Sequence, residues 1–316
     1  MTPLRIGTRG STLAMVQARS VASALQQHTG RDVELVEITT RGDLSGEPLA
    51  RIGGAGVFVS ALRDALLDGK VDVAVHSLKD LPTEPAEGLT VAAVPPREDP
   101  RDALCARDGL SLDELPTGSV VGTGAPRRVA QLNALGLGLR TVDVRGNVDT
   151  RLGKVAAGSL DAVVLARAGL ARLGRLDAVT ETLDPLRVLP APGQGALAVE
   201  CRAEDAQLVT AAGALDDPAT RSSVTAERSL LAALEAGCTA PVGGYAEAAE
   251  GDEGLELYIR AVVVSLDGTV SIRKSATGPL DGAERLGRDL AADLLAAGAG
   301  AVVDAHHGAP KEENAT

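Results

Sequence analysis

The hydrophobic and polar positions of the first 95 residues switch repeatedly between two periods. Residues 4–8 read as a strand, 11–27 as a helix, 33–39 as a strand, 57–67 as a helix and 71–75 as a strand. Alternation of this kind predicts a mainly parallel sheet covered by helices on both faces. A proline-rich break follows from Pro95-Pro96 to Pro100. A second alternating unit then runs to about residue 188. Its strands are predicted at 119–123, 140–144 and 161–165, and its helices begin near Pro126, Asn147 and Ala166. Pro190-Ala191-Pro192-Gly193-Gln194-Gly195 reads as a second linker, after which the apolar run 196–199 returns to the first sheet. Two α/β lobes crossed twice by the chain enclose a hinged cleft, a common setting for ligands.

The remainder has a different grammar. A long helix over 219–235 precedes strands at 242–247, 255–265 and 269–277, with Asp267-Gly268 as a hairpin signal between the last two. A closing helix covers 282–297. The expected organisation is therefore an α/β domain over 1–95 with a return segment 196–213, a second α/β domain over 100–190, a small α+β domain over 218–305, and a disordered tail over 306–316. No internal repeat or low-complexity tract interrupts this pattern.

Composition narrows the picture. With no Trp, one Phe and two Tyr, the core must be packed from Ala, Val and Leu, and stacking on a flat ligand falls to Phe58. No apolar run approaches the roughly 20 residues of a membrane span, the N-terminus lacks a signal-peptide core, and three scattered cysteines suit neither a disulfide framework nor zinc. These features predict a cytoplasmic chain with no membrane partner and no metal. The net charge is −12, but residues from 210 onward hold 8 basic and 17 acidic side chains, against 23 and 26 before them. That balance argues against nucleic-acid binding and permits a local basic pocket upstream for an acidic small molecule.

Three strand-to-helix junctions place arginine where a helix begins: Thr8-Arg9-Gly10-Ser11, Thr123-Gly124-Ala125-Pro126-Arg127-Arg128 and Arg145-Gly146-Asn147. Free N–H groups and a guanidinium fork together suit a carboxylate or phosphate. The plainer alternative pairs these arginines with Asp143 and Asp149. His76-Ser77-Leu78-Lys79-Asp80 follows a strand and so reaches the cleft; Asp80 is a lone carboxylate among bases, suited to stabilise a cation or move a proton, or else simply caps the turn before Pro82. Gly53-Gly54-Ala55-Gly56 suits a mobile lid; it is not a phosphate loop, and no Gly-x-Gly-x-x-Gly occurs. Cys238 follows a helix with Gly237 as its expected cap. The negative end of that helix disfavours a thiolate, which a thiol holding one group permanently does not need. Cys105 and Cys201 read as small buried residues.

Six segments together resemble the porphobilinogen deaminase (hydroxymethylbilane synthase) family: Arg5-Ile6-Gly7-Thr8-Arg9-Gly10-Ser11, His76-Ser77-Leu78-Lys79-Asp80-Leu81-Pro82, Arg127-Arg128, Arg145-Gly146-Asn147-Val148-Asp149-Thr150-Arg151, Pro192-Gly193-Gln194-Gly195-Ala196 and the Cys238 loop. Their order and spacing match from about Leu4 to Ala297. The resemblance implies two lobes like those of periplasmic anion-binding proteins plus a third domain. It implies a monomeric transferase of haem biosynthesis with a dipyrromethane cofactor, joined by a thioether to Cys238, onto which four porphobilinogen units are added with loss of ammonia before hydroxymethylbilane is released. Asp80 becomes the catalytic carboxylate. Lys79, Ser77, Thr123, Arg127, Arg128, Arg145 and Gly146 become cofactor ligands. Arg9, Ser11, Phe58, Arg51, Arg151 and Arg172 become ligands of the substrate and growing oligopyrrole. Gly124-Ala125 stand where the family often has Ser-Ser, and Arg51 and Ala55 where its glycine loop usually has lysines. Two competing functions are a non-catalytic anion binder, opposed by the extra Cys238 domain, and a nucleotide-dependent transferase, opposed by the lack of a phosphate loop.

Overall fold

The computed structural model describes residues 2–40, 56–237, 240–251 and 254–308, with the side chains of 56–58 and 307–308 outside the description. The first lobe opens with β1 (Leu4–Thr8), α1 (Thr12–Thr29), β2 (Val33–Glu37), α2 (Gly56–Leu67), β3 (Val73–Ser77) and β4 (Leu89–Ala93). Ser11 caps α1, its hydroxyl accepting from the Ala14 amide at 3.3 Å, and Gly30 ends it in the left-handed conformation. After the first crossing come β5 (Asp102–Ala106), β6 (Val120–Gly122), α3 (Pro126–Ala134), β7 (Arg140–Val142), α4 (Val148–Ala156), β8 (Ala162–Ala166), α5 (Arg167–Arg172) and β9 (Glu181–Thr182). The second crossing leads back into β10 (Leu197–Arg202) and α6 (Ala206–Gly213).

The two sheets share one plan. Their strand orders are β2-β1-β3-β10-β4 and β7-β6-β8-β5-β9. In each, the strand entered directly from a crossing, β10 or β5, runs antiparallel to both neighbours. The chain arrives there from the opposite lobe, which reverses its direction. Helices cover both faces of each sheet. Leu4, Ile6, Val73 and Val75 pack toward α1 and α6, while Ala74 and Val71 pack with Leu62 and Leu66 of α2. In the second lobe Leu104, Val121 and Val164 pack with Leu132 of α3, and Cys105, Val163 and Leu165 face the opposite way with Leu170 of α5. Such double coverage makes the strands continuously apolar.

The third domain consists of α7 (Pro218–Ala233), β11 (Val242–Gly251), β12 (Gly254–Val264), β13 (Ser271–Pro279), α8 (Ala283–Ala296) and α9 (Ala299–Gly308). Its three strands form an antiparallel sheet whose Leu257, Ile259 and Val263 pack on Leu230 and Leu290 of the helices. The hairpin after β12 turns at Gly268, whose φ is +77° and where a Cβ would lie 2.4 Å from the Ala134 backbone nitrogen. Glycine is therefore required both by the turn and by the approach to α3. Beside it, Asn133 Nδ2 donates to the Leu266 carbonyl at 2.7 Å.

Three expectations are corrected here. α9 runs through residue 308, so the expected disordered tail begins with helix at 306–308. Residues 309–316 lie outside the described residues. α7 ends at Ala233, with Leu234 as its cap and Glu235 at φ 51°, so Gly237 is not the cap. The Glu235 and Ala236 amides close that end on the Ala232 and Leu231 carbonyls at 3.0 and 3.2 Å. Finally, β4, β5 and β9 are additional strands that periodicity did not reveal. β5 opens on a fully buried aspartate, which masks it as a strand.

Candidate active site between the lobes

On the first lobe, the β1–α1 junction and the turn after β3 meet around a cavity of about 100 Å³. Its lining includes Arg9, Ser11, Gln17, His76, Ser77 and Asp80. The junctions converge because both leave the same end of adjacent parallel strands. Ser77 Oγ donates to Gln17 Oε1 at 3.2 Å. Behind it, buried His76 Nε2 lies 3.2 Å from Glu200 without hydrogen-bond alignment, while Arg63 holds that carboxylate at 2.9 and 3.1 Å. Residues Leu78–Asp80 form a single 3-10 turn.

Lys79 leaves this turn toward the second lobe, where its Nζ donates to Gln194 Oε1 at 3.3 Å. Gln194, in the second crossing, donates from Nε2 to Asp102 Oδ1 at 2.8 Å and to the Pro100 carbonyl at 2.7 Å. Burial lowers the Lys79 ammonium to about 8; Asp80 opposes that shift and Arg128 adds to it.

Asp102 is fully buried and shared by Arg127 at 2.8 Å and Arg128 at 2.7 Å. Burial alone pushes its carboxyl up, but the two guanidinium charges and the bonds from Arg128 and Gln194 hold it well below the usual carboxylate range. Arg127 also donates to the Leu189 carbonyl, and Arg128 to the Val164 carbonyl at 2.9 Å. Both guanidinium groups at this junction are thus paired with a carboxylate, as the plainer reading expects, but the partner is Asp102 and not Asp143 or Asp149. Arg128 Nε nevertheless remains buried without a hydrogen-bond partner.

The third junction is shallower. Arg145 is exposed and pairs with Asp143 at 3.2 Å, as the plainer reading expects. Asp149 pairs instead with Arg175 at 2.9 Å. Gly146 has φ +105° and presents its carbonyl to Arg151 Nε at 2.9 Å. Burial and the neighbouring charges of Arg128 and Arg145 lower the Arg151 pKa. Thr123 is buried, its hydroxyl 3.4 Å from the Ala125 amide. Arg172 reaches the second crossing, donating to the Gly195 carbonyl at 2.6 Å. Cys238, Arg51 and Ala55 lie outside the described residues, as does the Phe58 side chain. Cys105 and Cys201 are free and buried, with thiols pushed up to about 11 by burial.

The site residues that sequence reasoning missed are Gln17, Asp102 and the side chain of Gln194. Asp102 carried a signal: a lone acid opening the apolar run Ala103-Leu104-Cys105, 25 residues before an arginine pair. Gln17 carried only its position on the buried face of a helix.

Two doubly wound α/β lobes, with Lys79 reaching toward the Asp102–Arg127–Arg128 group and Asp80 lining a small cavity, define a two-lobed α/β protein extended by a third domain. The family model described as porphobilinogen deaminase, dipyromethane cofactor binding domain, matches residues 4–210, and that described as porphobilinogen deaminase, C-terminal domain, matches residues 222–296. Porphobilinogen deaminase 1 of Streptomyces coelicolor is 61% identical over 305 residues, covering 94% of this chain and 96% of its own. Porphobilinogen deaminase of Mycobacterium tuberculosis is 59% identical over 301 residues, covering 94% and 97%. A solved ABC-transporter periplasmic substrate-binding protein from Coxiella burnetii aligns with a TM-score of 0.44 at 15% identity, covering 69% of this chain and 94% of that one. The chain belongs to the porphobilinogen deaminase family.

Dipyrromethane, the cofactor in the description of that family model, bears carboxylate side groups. The unpaired, buried Arg128 Nε and the ammonium of Lys79 are cationic donors between the lobes. Anionic side groups satisfy such donors, so the residues present fit the group.

Proposed function

We propose that this chain is a transferase that deaminates four porphobilinogen units and joins them onto a dipyrromethane held by Cys238, releasing hydroxymethylbilane by hydrolysis, with water supplying its hydroxyl. The observation that carries this reading is Asp80 lining one cavity with Arg9, Ser11 and Ser77, next to Lys79, whose ammonium reaches through Gln194 to the Asp102 that holds the arginine pair. When bound, dipyrromethane supplies the pyrrole carbon from which the chain is extended.

Each incoming pyrrole brings an acetate and a propionate. Arg9 and Ser11 hold those of the substrate, with Arg51, Phe58, Arg151 and Arg172 contacting substrate or growing chain. Lys79, Ser77, Thr123, Arg127, Arg128, Arg145 and Gly146 hold the cofactor, each charge-assisted bond contributing about 1.5–3 kcal/mol. Loss of ammonia from the aminomethyl group leaves a cationic methylene pyrrole. Asp80 stabilises that cation and its pyrrole N–H. The new C–C bond joins the methylene carbon to the free α-carbon of the terminal pyrrole of the bound chain, and Asp80 accepts the α-proton which that terminal ring loses as it regains aromaticity. Ser77, held by Gln17, orients the carboxylate. No helix among the described residues is long and apolar enough to cross a membrane. The reading places the chain in the cytoplasm as a monomer acting on porphobilinogen.

Asp80→Asn is the test. It is expected to retain bound cofactor while turnover falls below about 1% of wild type, within the 10²–10⁴ range of acid–base catalysis. Near-normal turnover would remove the catalytic role.

A further inference from the structure

One face of α7 grips the first lobe. Thr220 Oγ1 accepts from the Arg97 amide at 3.2 Å, and Val224 packs with Leu78, Leu81 and Val94. Glu227, fully buried, takes Arg97 at 2.7 and 3.0 Å and the Gly193 amide at 2.6 Å, tying both crossings together. At the next position Arg228 donates to two consecutive carbonyls, Leu81 at 2.8 Å and Pro82 at 2.6 Å. Leu81 is the residue that closes the 3-10 turn carrying Lys79 and Asp80, its amide bonded to the Leu78 carbonyl at 3.1 Å.

Arg228 makes no ion pair among the described residues, and burial lowers its pKa, with Arg63 acting in the same direction and Glu200 and Glu84 opposing it. A costly, half-buried cation is thus spent on backbone oxygens rather than on a carboxylate. The planar fork explains the choice, because it fixes two adjacent carbonyls in one orientation. The Leu78 amide donates to the Ala196 carbonyl, just before β10, at 3.0 Å, and Leu78 and Leu81 are buried with Val224 of α7. The turn is therefore held between the first lobe's sheet and a helix of the third domain.

We infer that Arg228 is a positioning residue: through the Leu81 and Pro82 carbonyls it fixes the turn that aims Asp80, so that the third domain sets the geometry of catalysis on the first lobe. The inference rests on the reading of Asp80 as the catalytic carboxylate. A misplacement of about 1 Å at such a group costs on the order of 100-fold in rate, which a loosened turn would produce without removing any ligand of the substrate.

The experiment is steady-state kinetics on cofactor-loaded Arg228→Gln and Arg228→Lys beside wild type and Asp80→Asn, each assayed well below its melting temperature. Both Arg228 variants are expected to keep the bound pigment and a KM within about threefold of wild type, while kcat falls about 10- to 100-fold, less for Lys than for Gln. A general loss of structure would instead lower the active fraction and the pigment content together. A kcat within about twofold of wild type in either loaded variant, with Asp80→Asn inactive, overturns the positioning role and leaves the site reading intact. A normal Asp80→Asn overturns both. If Arg228→Gln does not fold, Arg228→Lys, which keeps the charge and most of the stem, decides the question by the same kcat criterion.

Discussion

Asp102 begins β5 with its carboxylate fully buried between Arg127 and Arg128. Removing the charge strands two guanidinium groups in a buried site, so Asp102→Asn is expected to cost about 3–5 kcal/mol, measured by chemical denaturation. Its folded pKa lies well below the unfolded value, so the contribution is full at neutral pH, begins to fall below about 4 and is gone only once pH drops beneath the lower folded value. The variant's deficit should accordingly shrink in acid. Lys79 behaves oppositely. Its ammonium is lowered to about 8, so the site loses a cation as pH rises through that value. In cofactor-free Cys238→Ser, whose cofactor ligands are open to a pyrrole dicarboxylate, calorimetry with porphobilinogen as the probe is expected to show its binding at those ligands weaken between about pH 7 and 9, and Lys79→Arg to flatten that dependence. Residue-scale roles were only partly legible in sequence. Arg9, Ser11, Ser77 and Asp80 follow from their place after strands. Asp102 is signalled as an acid opening an apolar run, but its partner Arg127 lies 25 residues away, and nothing local names that partner.

At the scale of elements, periodicity revealed the strands and helices whose apolar pattern is long or clean, including α1, β3, α7 and the β12–β13 hairpin. It missed β9, two residues long, and β4, lodged just before the prolines. It also missed the shared strand order of the two lobes, because that likeness lies in hydrogen-bond topology and not in residue types. The hairpin turn was legible as Asp-Gly, but its second duty, docking on α3, was not. Gly268→Val combines an unfavourable φ with a clash against the Asn133–Ala134 backbone. Thermal denaturation should register a loss of about 1–3 kcal/mol. An unchanged melting temperature would show that the hairpin does not need that approach.

Across the whole molecule, the third domain touches both lobes. Val262 and Val264 pack with Ala130 and Leu189 of the second lobe, while Val224 and Arg228 meet the first. Arg97 and Glu227 join the two crossings beneath the cleft. The two-lobe plan and the small C-terminal domain were legible from the change of period along the chain and from the resemblance carried by six spaced motifs. How the third domain braces the lobes was not, since it depends on single contacts between distant segments. Chain growth on a tethered primer makes one demand of this architecture: covalent intermediates must remain attached to the protein between couplings. Intact-protein mass spectrometry on wild type given limiting porphobilinogen tests this most directly. The expected result is a bare-chain mass increased by dipyrromethane, with a ladder of further pyrrole increments that Cys238→Ser lacks. A bare-chain mass before and after substrate, in protein from cells able to make porphobilinogen, would contradict it.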